Sequence, residues 1–304
     1  MRVTFLGTGG VYPTKTRSLP AITVRVEDEL VLFDCGEGTQ RQFIQSPESF
    51  MKVSKVFLTH HHADHVLGIP GLIQTMTLND RKDPLYFYGP KGTRKLVKVL
   101  SSFGNVATFD IIAKDLKPGD VVACRRFNVH TTRGDHRTID IAYAVVEPDR
   151  PGRFNPSLAS RFGVPKGPMF GRLQEGETVE VDGRSITPEM VMGEKRPGRR
   201  FVYTGDTRPM KEIVKLARGC DLLVHDSTHH PSESENAVET GHSTSEEAAL
   251  VAKEAGAGRL VLFHISPRYE DVSSLIEAAR KVFPNTDVID DLGVVEIERR
   301  DDPR

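Results

Sequence analysis

The amino-acid sequence predicts a mixed α/β protein in which β-sheets and helices pack as a sandwich. The chain has 304 residues, and 38% of them are hydrophobic, which is enough for one large domain or two small ones. Short apolar runs of the β-strand type recur along the chain, and each ends in polar or glycine-rich residues. Helical stretches separate these runs, and this mixture of elements is typical of an α/β sandwich.

The predicted strands are runs rich in β-branched, aromatic and leucine residues. Examples lie at residues 3–6, 30–33, 56–58, 139–146, 201–203, 222–224 and 260–263. The clearest predicted helix covers residues 244–255. Thr244 and Glu247 have the spacing of a capping box there, and Gly256 is placed to end the helix.

One segment of the chain differs from the rest in composition. Residues 150–174 contain five basic residues, no acidic residue, and eight glycines and prolines. This shift indicates an insertion that projects from the domain. We therefore expect a single domain over residues 1–304 with an inserted arm at residues 150–195. An ordinary surface loop is the alternative.

Charge and cysteine content limit the class of protein. The formal net charge is -1, so any polyanionic partner must be bound by a local basic patch. Three scattered cysteines, Cys35, Cys124 and Cys220, argue against a disulfide framework and for a reducing compartment. The sequence shows no signal or transit pattern, and no apolar run approaches the ~18 residues of a membrane span. We expect a cytoplasmic protein with no membrane partner and no nucleotide cofactor.

The strongest functional signal is the sequence THHHADH at residues 59–65, directly after the predicted strand at 56–58. Imidazole and carboxylate groups are the ligands that zinc and similar divalent cations take. The carboxyl end of a strand is also where open α/β sheets place their sites. The HxHxDH spacing therefore predicts a metal centre rather than a surface histidine cluster.

Within this motif the side chains should divide between two positions. His60 and His62 alternate along the chain, so both can point the same way, while Asp64 and His65 turn toward a second position. We expect His61 to point away from the site.

The remaining ligands must come from distant parts of the chain. Asp206 and His264 each follow directly on a predicted strand, so both can reach a shared site. A carboxylate such as that of Asp206 can bridge two cations ~3.5–4 Å apart. A further histidine ligand is either His136, our first choice, or His130, because general rules do not separate the two well.

Taken together, these motifs resemble the metallo-β-lactamase superfamily and, within it, the ribonuclease Z family. The matching series is FLGTGG at 5–10, LFDCGEGTQ at 32–40, HxHxDH at 60–65 followed by GIPGL at 68–72, GDTR at 205–208, GHST at 241–244 and HISPRY at 264–269. The resemblance covers essentially the whole chain. It implies an αββα sandwich of two mixed β-sheets flanked by helices, and a zinc-dependent endoribonuclease that removes the 3′ trailer from precursor tRNA.

The resemblance also implies two Zn²⁺ per subunit and assigns their ligands. It selects His136 over His130, because the family ligand stands a fixed step before an aromatic residue, here Tyr143, in a strand that leads to Pro-Gly at residues 151–152. By resemblance, one zinc is bound by His60, His62 and His136, the other by Asp64, His65 and His264, and Asp206 bridges them.

The basic segment resembles the flexible exosite arm with which the family clamps the body of the tRNA. Its hallmark is Gly167-Pro168, and Arg153 and Lys166 are the residues that we expect to bind phosphates. The family also forms homodimers in which one subunit's arm serves the other's active site. Helices near residues 37–45 and 70–76 are the interface elements expected here.

A second tRNA-binding segment is implied at the sequence PTKTRS, which begins at Pro13. It resembles the family loop that senses the 3′ end, usually written PxKxRN, with Ser18 in place of the asparagine. By resemblance, Lys15 and Arg17 would hold phosphates, whereas the alternative is two solvated loop charges.

The resemblance assigns catalytic roles to two residues. Asp64 would bind metal and accept the proton of the attacking water, and His242 would protonate the leaving 3′ oxygen. His242, with Arg268 as a further candidate, would also stabilise the charge of the transition state. The products would be a tRNA with a 3′ hydroxyl and a trailer with a 5′ phosphate. Zinc is expected from the ligand types, with manganese or iron as alternatives.

Further polar residues could support the site without binding metal. His225, Asp226, His229 and His230 cluster after the predicted strand at 222–224. Asp34 is expected to shape the loop beneath the metals rather than to act in catalysis.

Three other functions share some of these features. A hydrolase of small phosphodiesters or sulfate esters would have the same metal site but no need for a basic arm. A non-catalytic RNA-binding protein on a decayed hydrolase fold would be expected to have lost ligands. A thioester or β-lactam hydrolase has no support from the arm or from the GHST sequence.

Overall fold

The structure is a computed structural model that describes residues 1–300 of the chain. The chain divides into two compact units. The larger unit consists of Met1–Glu147 and Arg199–Glu298, and the smaller one contains Pro148–Gly198. Within the described residues, no helix has both the length and the apolar character needed to cross a membrane.

Two mixed β-sheets of seven strands each form the larger unit. Across the first sheet the strands are β16 (Val294–Glu296), β1 (Arg2–Gly7), β2 (Ala21–Val26), β3 (Glu29–Phe33), β4 (Val53–Phe57), β5 (Leu85–Gly89) and β6 (Ile111–Asp115). Across the second they are β15 (Thr286–Val288), β14 (Leu260–Phe263), β13 (Leu222–Asp226), β12 (Arg200–Tyr203), β9 (Ile141–Val146), β8 (Asn128–Arg133) and β7 (Val121–Ala123).

Helices cover the outer face of each sheet. Those of the larger unit are α1 (Thr39–Gln45), α2 (Ala63–Val66), α3 (Ile69–Leu78), α4 (Thr93–Leu100), α8 (Lys211–Ala217), α9 (Ser234–Thr240), α10 (Ser245–Ala255) and α11 (Ser273–Arg280). The apolar residues of α1, α3 and α4 pack on the first sheet, and those of α8, α10 and α11 pack on the second. This arrangement confirms the predicted αββα sandwich.

Aromatic side chains fill the space between the two sheets. The ring of Phe33 on β3 lies 5.3 Å from that of Phe57, 5.6 Å from that of Tyr143 and 5.9 Å from that of Phe201, measured between centroids. Because Phe57 comes from the first sheet and the other two from the second, this cluster joins the sheets directly beneath the strand ends that carry the polar motifs.

Most of the predicted elements are present, with shifted ends. The predicted helix at 244–255 is confirmed: Thr244 caps α10 with a complete capping box, and Gly256 ends it at a φ of 61°. The predicted start of the strand at 139–146 is wrong by two residues. Residues 134–140 form a turn closed by a hydrogen bond from Gly134 N to Asp140 O, so the strand begins at Ile141.

The smaller unit has its own elements and core. Its helices are α5 (Pro156–Arg161), α6 (Pro168–Gln174) and α7 (Pro188–Val191), and β10 (Val179–Val181) pairs with β11 (Arg184–Ile186) as a hairpin. Asp182 and Gly183 both have positive φ, as a tight hairpin turn requires. The apolar core consists of Ala159, Val164, Leu173, Val179, Ile186 and Val191. The segment predicted as an arm, 150–195, lies in this unit, and its flexibility and tRNA binding stay predictions.

We predict that Phe33→Ala lowers the free energy of unfolding by about 3–5 kcal/mol, because it removes a buried ring from the cluster between the sheets. Phe103→Ala is the matched control. Phe103 is 57% exposed, so its loss should change the free energy by less than about 0.5 kcal/mol. Denaturant unfolding of both variants measures the difference. Equal effects would contradict the role given to the cluster.

Candidate metal centre and active site

The candidate site lies at one edge of the sandwich, where strand ends converge. Strands β12, β13 and β14 are parallel, so their carboxyl ends meet at the same edge, and β9 is antiparallel to β12, so it begins there. Residues 58–65, which form the loop after β4 and the start of α2, reach the same place, because Ile141 N at the start of β9 donates to Thr59 O. The topology therefore assembles polar residues that are far apart in the chain, such as Asp64 and His264, which are separated by 200 positions.

Three histidines and an aspartate form the first ligand group. Their nearest polar atoms, from His60, His62, His136 and Asp206, lie within 4.8 Å of one another. His136 Nε2 is 3.3 Å from His62 Nδ1, and His60 Nε2 is 3.6 Å from Asp206 Oδ2. The structure thus brings His136 to the site, whereas His130 lies half-buried on β8 outside every such group in residues 1–300.

A second ligand group lies beside the first and consists of Asp64, His65 and His264. Asp64 Oδ2 is 3.3 Å from His264 Nε2 and 3.7 Å from His65 Nε2. His61 lies outside both groups, as expected, and its Nε2 is 2.9 Å from Thr93 Oγ1. The neighbouring histidines of the HxHxDH motif therefore divide between two groups.

Asp206 joins the two groups through one oxygen atom. Its Oδ2 lies 3.3 Å from His264 Nε2, 3.4 Å from His65 Nε2 and 4.0 Å from His136 Nε2. A tetrahedral cation with ligands at ~2.0–2.1 Å separates neighbouring ligand atoms by ~3.3 Å. Most of the spacings at this site are near that value, so the donor set fits two adjacent divalent cations.

Unpartnered atoms give an independent test of this fit. His60 Nε2, His65 Nε2 and Asp206 Oδ1 are buried, and none has a hydrogen-bond partner among the described residues. Buried polar atoms without a partner cost free energy, and most in folded proteins are satisfied. Cations in the two groups would satisfy these atoms, which supports a metal centre over a structural histidine cluster.

Ionisation in part of the site also suits cation binding. Burial lowers the pKa of His60 and His136, which keeps the imidazoles neutral with a free lone pair. Burial alone would raise the pKa of Asp206, but His264, His65 and His60 hold it well below its usual value. Asp206 is therefore a carboxylate.

The second ring nitrogen is held by a neighbouring group in four of the five ligand histidines, His60, His65, His136 and His264. Asp34 Oδ2 lies 2.8 Å from His65 Nδ1 and also accepts a hydrogen bond from the Tyr203 hydroxyl. His136 Nδ1 lies 2.8 Å from Gly241 O. Such contacts fix the orientation and tautomer of a ligating imidazole.

The other two ring contacts involve residues whose roles sequence reasoning missed. His60 Nδ1 is 3.0 Å from Thr59 Oγ1 and 3.5 Å from the buried carboxyl of Asp140, and His264 Nδ1 is 2.8 Å from Thr228 Oγ1. The position of Asp140 immediately before an apolar strand was the available signal. A lone aspartate there is also common in ordinary turns, so the signal is weak.

His242 lies between the ligand histidines and a buried carboxylate. Its ring stacks on that of His264 at 5.0 Å, and its Nδ1 is 2.8 Å from Asp226 Oδ2. Burial would lower the pKa of His242, but the negative charge of Asp226, with that of Asp206, raises it to about 9. A protonated imidazole beside the metal groups can act as a general acid.

Asp64 contacts His264 at its Nε2 atom, whereas His242 stacks on the face of the same ring. Asp64 Oδ2 also accepts a hydrogen bond from Val11 N at 3.0 Å. Burial would raise the pKa of Asp64, but the hydrogen bond from His264 and the charge of His65 lower it, so the group stays ionised. Gly10 makes room for this arrangement, because a Cβ there would lie 2.3 Å from the ring of His264.

The predicted substrate-binding residues lie outside the metal groups. Lys15 lines a cavity of about 480 Å³ with Tyr12 and Tyr269, and Arg17 lines it too. The guanidinium of Arg17 is only 10% exposed and binds Thr8, Ile289 O and Asp290.

The other predicted substrate contacts lie farther along the chain. Arg268 forms an ion pair with Glu233. Arg153, Lys166, Gly167 and Pro168 lie in the smaller unit. Gly167 precedes α6 with a φ of 139°, and Pro168 begins that helix.

Fold and site together define a metallo-β-lactamase-type hydrolase, and comparisons with known proteins identify the family. Residues 184–265 match the family described as a beta-lactamase superfamily domain, and residues 1–103 match the anti-Pycsar protein Apyc1. Ribonuclease Z of Methanosarcina acetivorans is 47% identical over 99% of both chains, and that of Myxococcus xanthus is also 47% identical over 99% of both. The crystal structure of human tRNase Z, short form, superposes with a TM-score of 0.72 at 29% identity, over 98% of this chain and all of that one. The chain belongs to the ribonuclease Z family, which makes it an endoribonuclease.

We predict that Asp34→Asn weakens the binding of zinc, used as the probe cation, by about 10- to 100-fold, because a neutral amide replaces the charged carboxylate that accepts the hydrogen bond from His65 Nδ1. Titration against a chelator of known affinity measures the change. Asp80→Asn is the matched control, since that carboxylate is exposed. Equal zinc affinity in both variants would contradict the role assigned to Asp34.

Proposed function

We propose that this enzyme is a zinc-dependent endoribonuclease that removes the 3′ trailer from precursor tRNA. The observation that carries the proposal is the pair of ligand groups joined through Asp206 Oδ2. Two cations so placed suit the in-line displacement at a phosphodiester. The ribonuclease Z relatives and the human tRNase Z support tRNA as the substrate.

The proposed zinc ligands are those of the two groups. One zinc would be bound by His60, His62 and His136, the other by Asp64, His65 and His264, with Asp206 between them. When bound, such cations act as Lewis acids toward a phosphoryl oxygen and lower the pKa of water. His242 also lies within reach of Asp206 and His264, but its Nδ1 is already bound to Asp226, so we assign it to proton transfer.

In the proposed reaction, Asp64 and His242 move the two protons. The carboxylate of Asp64 accepts a proton as water adds to phosphorus, and the bond from phosphorus to the 3′ oxygen breaks. His242 gives its Nε2 proton to that 3′ oxygen, and Asp226 keeps its imidazole charged and oriented. The products are a tRNA with a 3′ hydroxyl and a trailer with a 5′ phosphate.

The smaller unit is proposed to bind the body of the tRNA. Its acid-free stretch at 150–174 includes Arg153 and Lys166, and cations without nearby acids attract phosphates. At the 3′ end, Lys15 is the proposed phosphate contact. Arg17 and Arg268 are already paired, so they could bind substrate only by exchanging partners.

We propose further that the enzyme is a cytoplasmic homodimer. The interface would involve α1 and α3, where Ile44 and Leu78 are 70% and 73% exposed. Exposed aliphatic side chains on neighbouring elements are typical of surfaces that are covered in an assembly. The sparse free cysteines support a reducing compartment.

A precursor tRNA with a labelled 3′ trailer tests the function directly. The zinc-loaded enzyme should make one cut just after the last nucleotide of the tRNA, and chelator should abolish it. Asp64→Ala should reduce the rate at least ~10³-fold while tRNA binding persists, whereas Asp80→Ala should cleave normally. An enzyme that leaves the precursor intact but hydrolyses a small phosphodiester rapidly would overturn the proposal.

Excision of the smaller unit tests the proposed arm. Glu147 N donates to Arg199 O, and β9 and β12 are antiparallel neighbours, so residues 148–198 can be replaced by an Asn-Gly turn that closes a hairpin. We predict that this variant still hydrolyses a small phosphodiester but loses most of its kcat/KM for precursor tRNA. A variant that keeps the smaller unit but replaces Lys166 and Arg161 by alanine should lose part of its kcat/KM for precursor tRNA. Normal tRNA cleavage by the excised variant would remove the arm from the mechanism.

A further inference from the structure

A second cavity opens beside the metal groups, on the side of His242. Its volume is about 530 Å³, and its lining includes His136 and Gly241, the residue that precedes His242. Binding sites for small molecules commonly have volumes of ~300–1,000 Å³. The cavity is therefore large enough for one nucleotide, and it adjoins the proposed general acid.

Arg137 supplies the cavity with a cation that has no partner. Its side chain is exposed, and among residues 1–300 it has neither an ion pair nor a hydrogen bond, in contrast to Arg208, which pairs with Glu247 in the same cavity. The Cγ of Arg137 lies 3.1 Å from the point where a Cβ on Gly241 would stand. Gly241 also has a φ of 75°, so glycine both forms this turn and leaves room for the arginine.

Apolar surface forms another part of the lining. Val238 on α9 is 64% exposed, and Pro209 lines the same cavity. Nucleobases can pack against apolar as well as aromatic side chains. Asp135 is a further lining residue, and a carboxylate accepts hydrogen bonds only, which suits the amino groups of a base and not a phosphate.

The direction of the reaction determines which nucleotide reaches this cavity. Asp64 contacts His264 at Nε2, whereas His242 stacks on the face of the same ring, so base and acid act from different sides of His264. In an in-line displacement the leaving oxygen is opposite the attacking water. The leaving 3′ oxygen therefore lies at His242, and so does the nucleotide that carries it.

We propose that this cavity binds the last nucleotide that remains on the tRNA, the one 5′ to the cleaved bond. Its base packs on Val238 and Pro209, and its own 5′ phosphate is bound by Arg137. The inference rests on the proposed function and adds a positioning subsite to it.

Arg137→Ala tests the phosphate contact. We expect kcat/KM for precursor tRNA to fall about tenfold or more, and the slope of log affinity against log salt to decrease by about 0.7. Arg133→Ala is the matched control, because Arg133 is an exposed arginine outside the cavity lining, and it should behave as wild type. Zinc content and melting temperature of both variants should be unchanged, which separates a lost contact from a disturbed fold.

A precursor whose last tRNA nucleotide lacks its base tests the packing contact. Wild-type enzyme should cleave this abasic substrate more slowly than the intact one, and Val238→Ser should lose most of that difference. The proposed subsite is wrong if Arg137→Ala and Arg133→Ala have the same kcat/KM for precursor tRNA. It is also wrong if removal of the base slows cleavage by the wild-type enzyme and by Val238→Ser equally. Failure of wild-type enzyme to cleave the intact precursor would overturn the proposed function, and the subsite with it.

Discussion

The shared carboxylate of Asp206 is the group on which the rest of the active site depends. It is buried at the end of β12, and its Oδ2 lies within 4.0 Å of nitrogen atoms from four histidines, His60, His65, His136 and His264. A buried negative charge is costly unless opposite charges surround it. Two bound cations would meet this requirement and would also satisfy the unpartnered nitrogens of His60 and His65.

The sandwich provides the rigidity that such a site needs. The ligands lie in the loops and the short helix α2 that follow or precede strands, and the aromatic cluster around Phe33 joins the two sheets from which these segments emerge. Asp34 and His264 both have positive φ, at 54° and 59°, which is unfavourable for residues other than glycine. The surrounding sheets hold both in this conformation, and each places a side chain at the metal groups.

Sequence patterns predicted the elements with strong local signals. Three such features depend on residues close together in the chain, and all of them are present. They are the HxHxDH motif, the strand ends before Asp206 and His264, and the capped helix α10. The choice between His136 and His130 depended on family resemblance, because spacing cannot show which histidine a strand pairing brings to the site. The structure places His136 there through the start of β9.

Other features depend on tertiary contacts and could not be predicted. Strand β6 is half-exposed at a sheet edge, so its apolar pattern is weak. The contact of Asp226, the last residue of β13, with His242, which lies between α9 and α10, joins residues 16 positions apart, and the pairing of Arg17 with Asp290 spans 273 residues. The family resemblance made Arg17 a candidate phosphate ligand and Arg268 a candidate for stabilising the transition-state charge, whereas the fold gives both of them acidic partners.

We propose that Asp206 bridges two cations. A crystal structure of the zinc-loaded enzyme, with anomalous data collected on both sides of the zinc absorption edge, tests it most directly. We expect two zinc peaks ~3.5–4 Å apart, both within bonding distance of Asp206, with His60, His62 and His136 on one and Asp64, His65 and His264 on the other. A single zinc, or two that do not share Asp206, would contradict it.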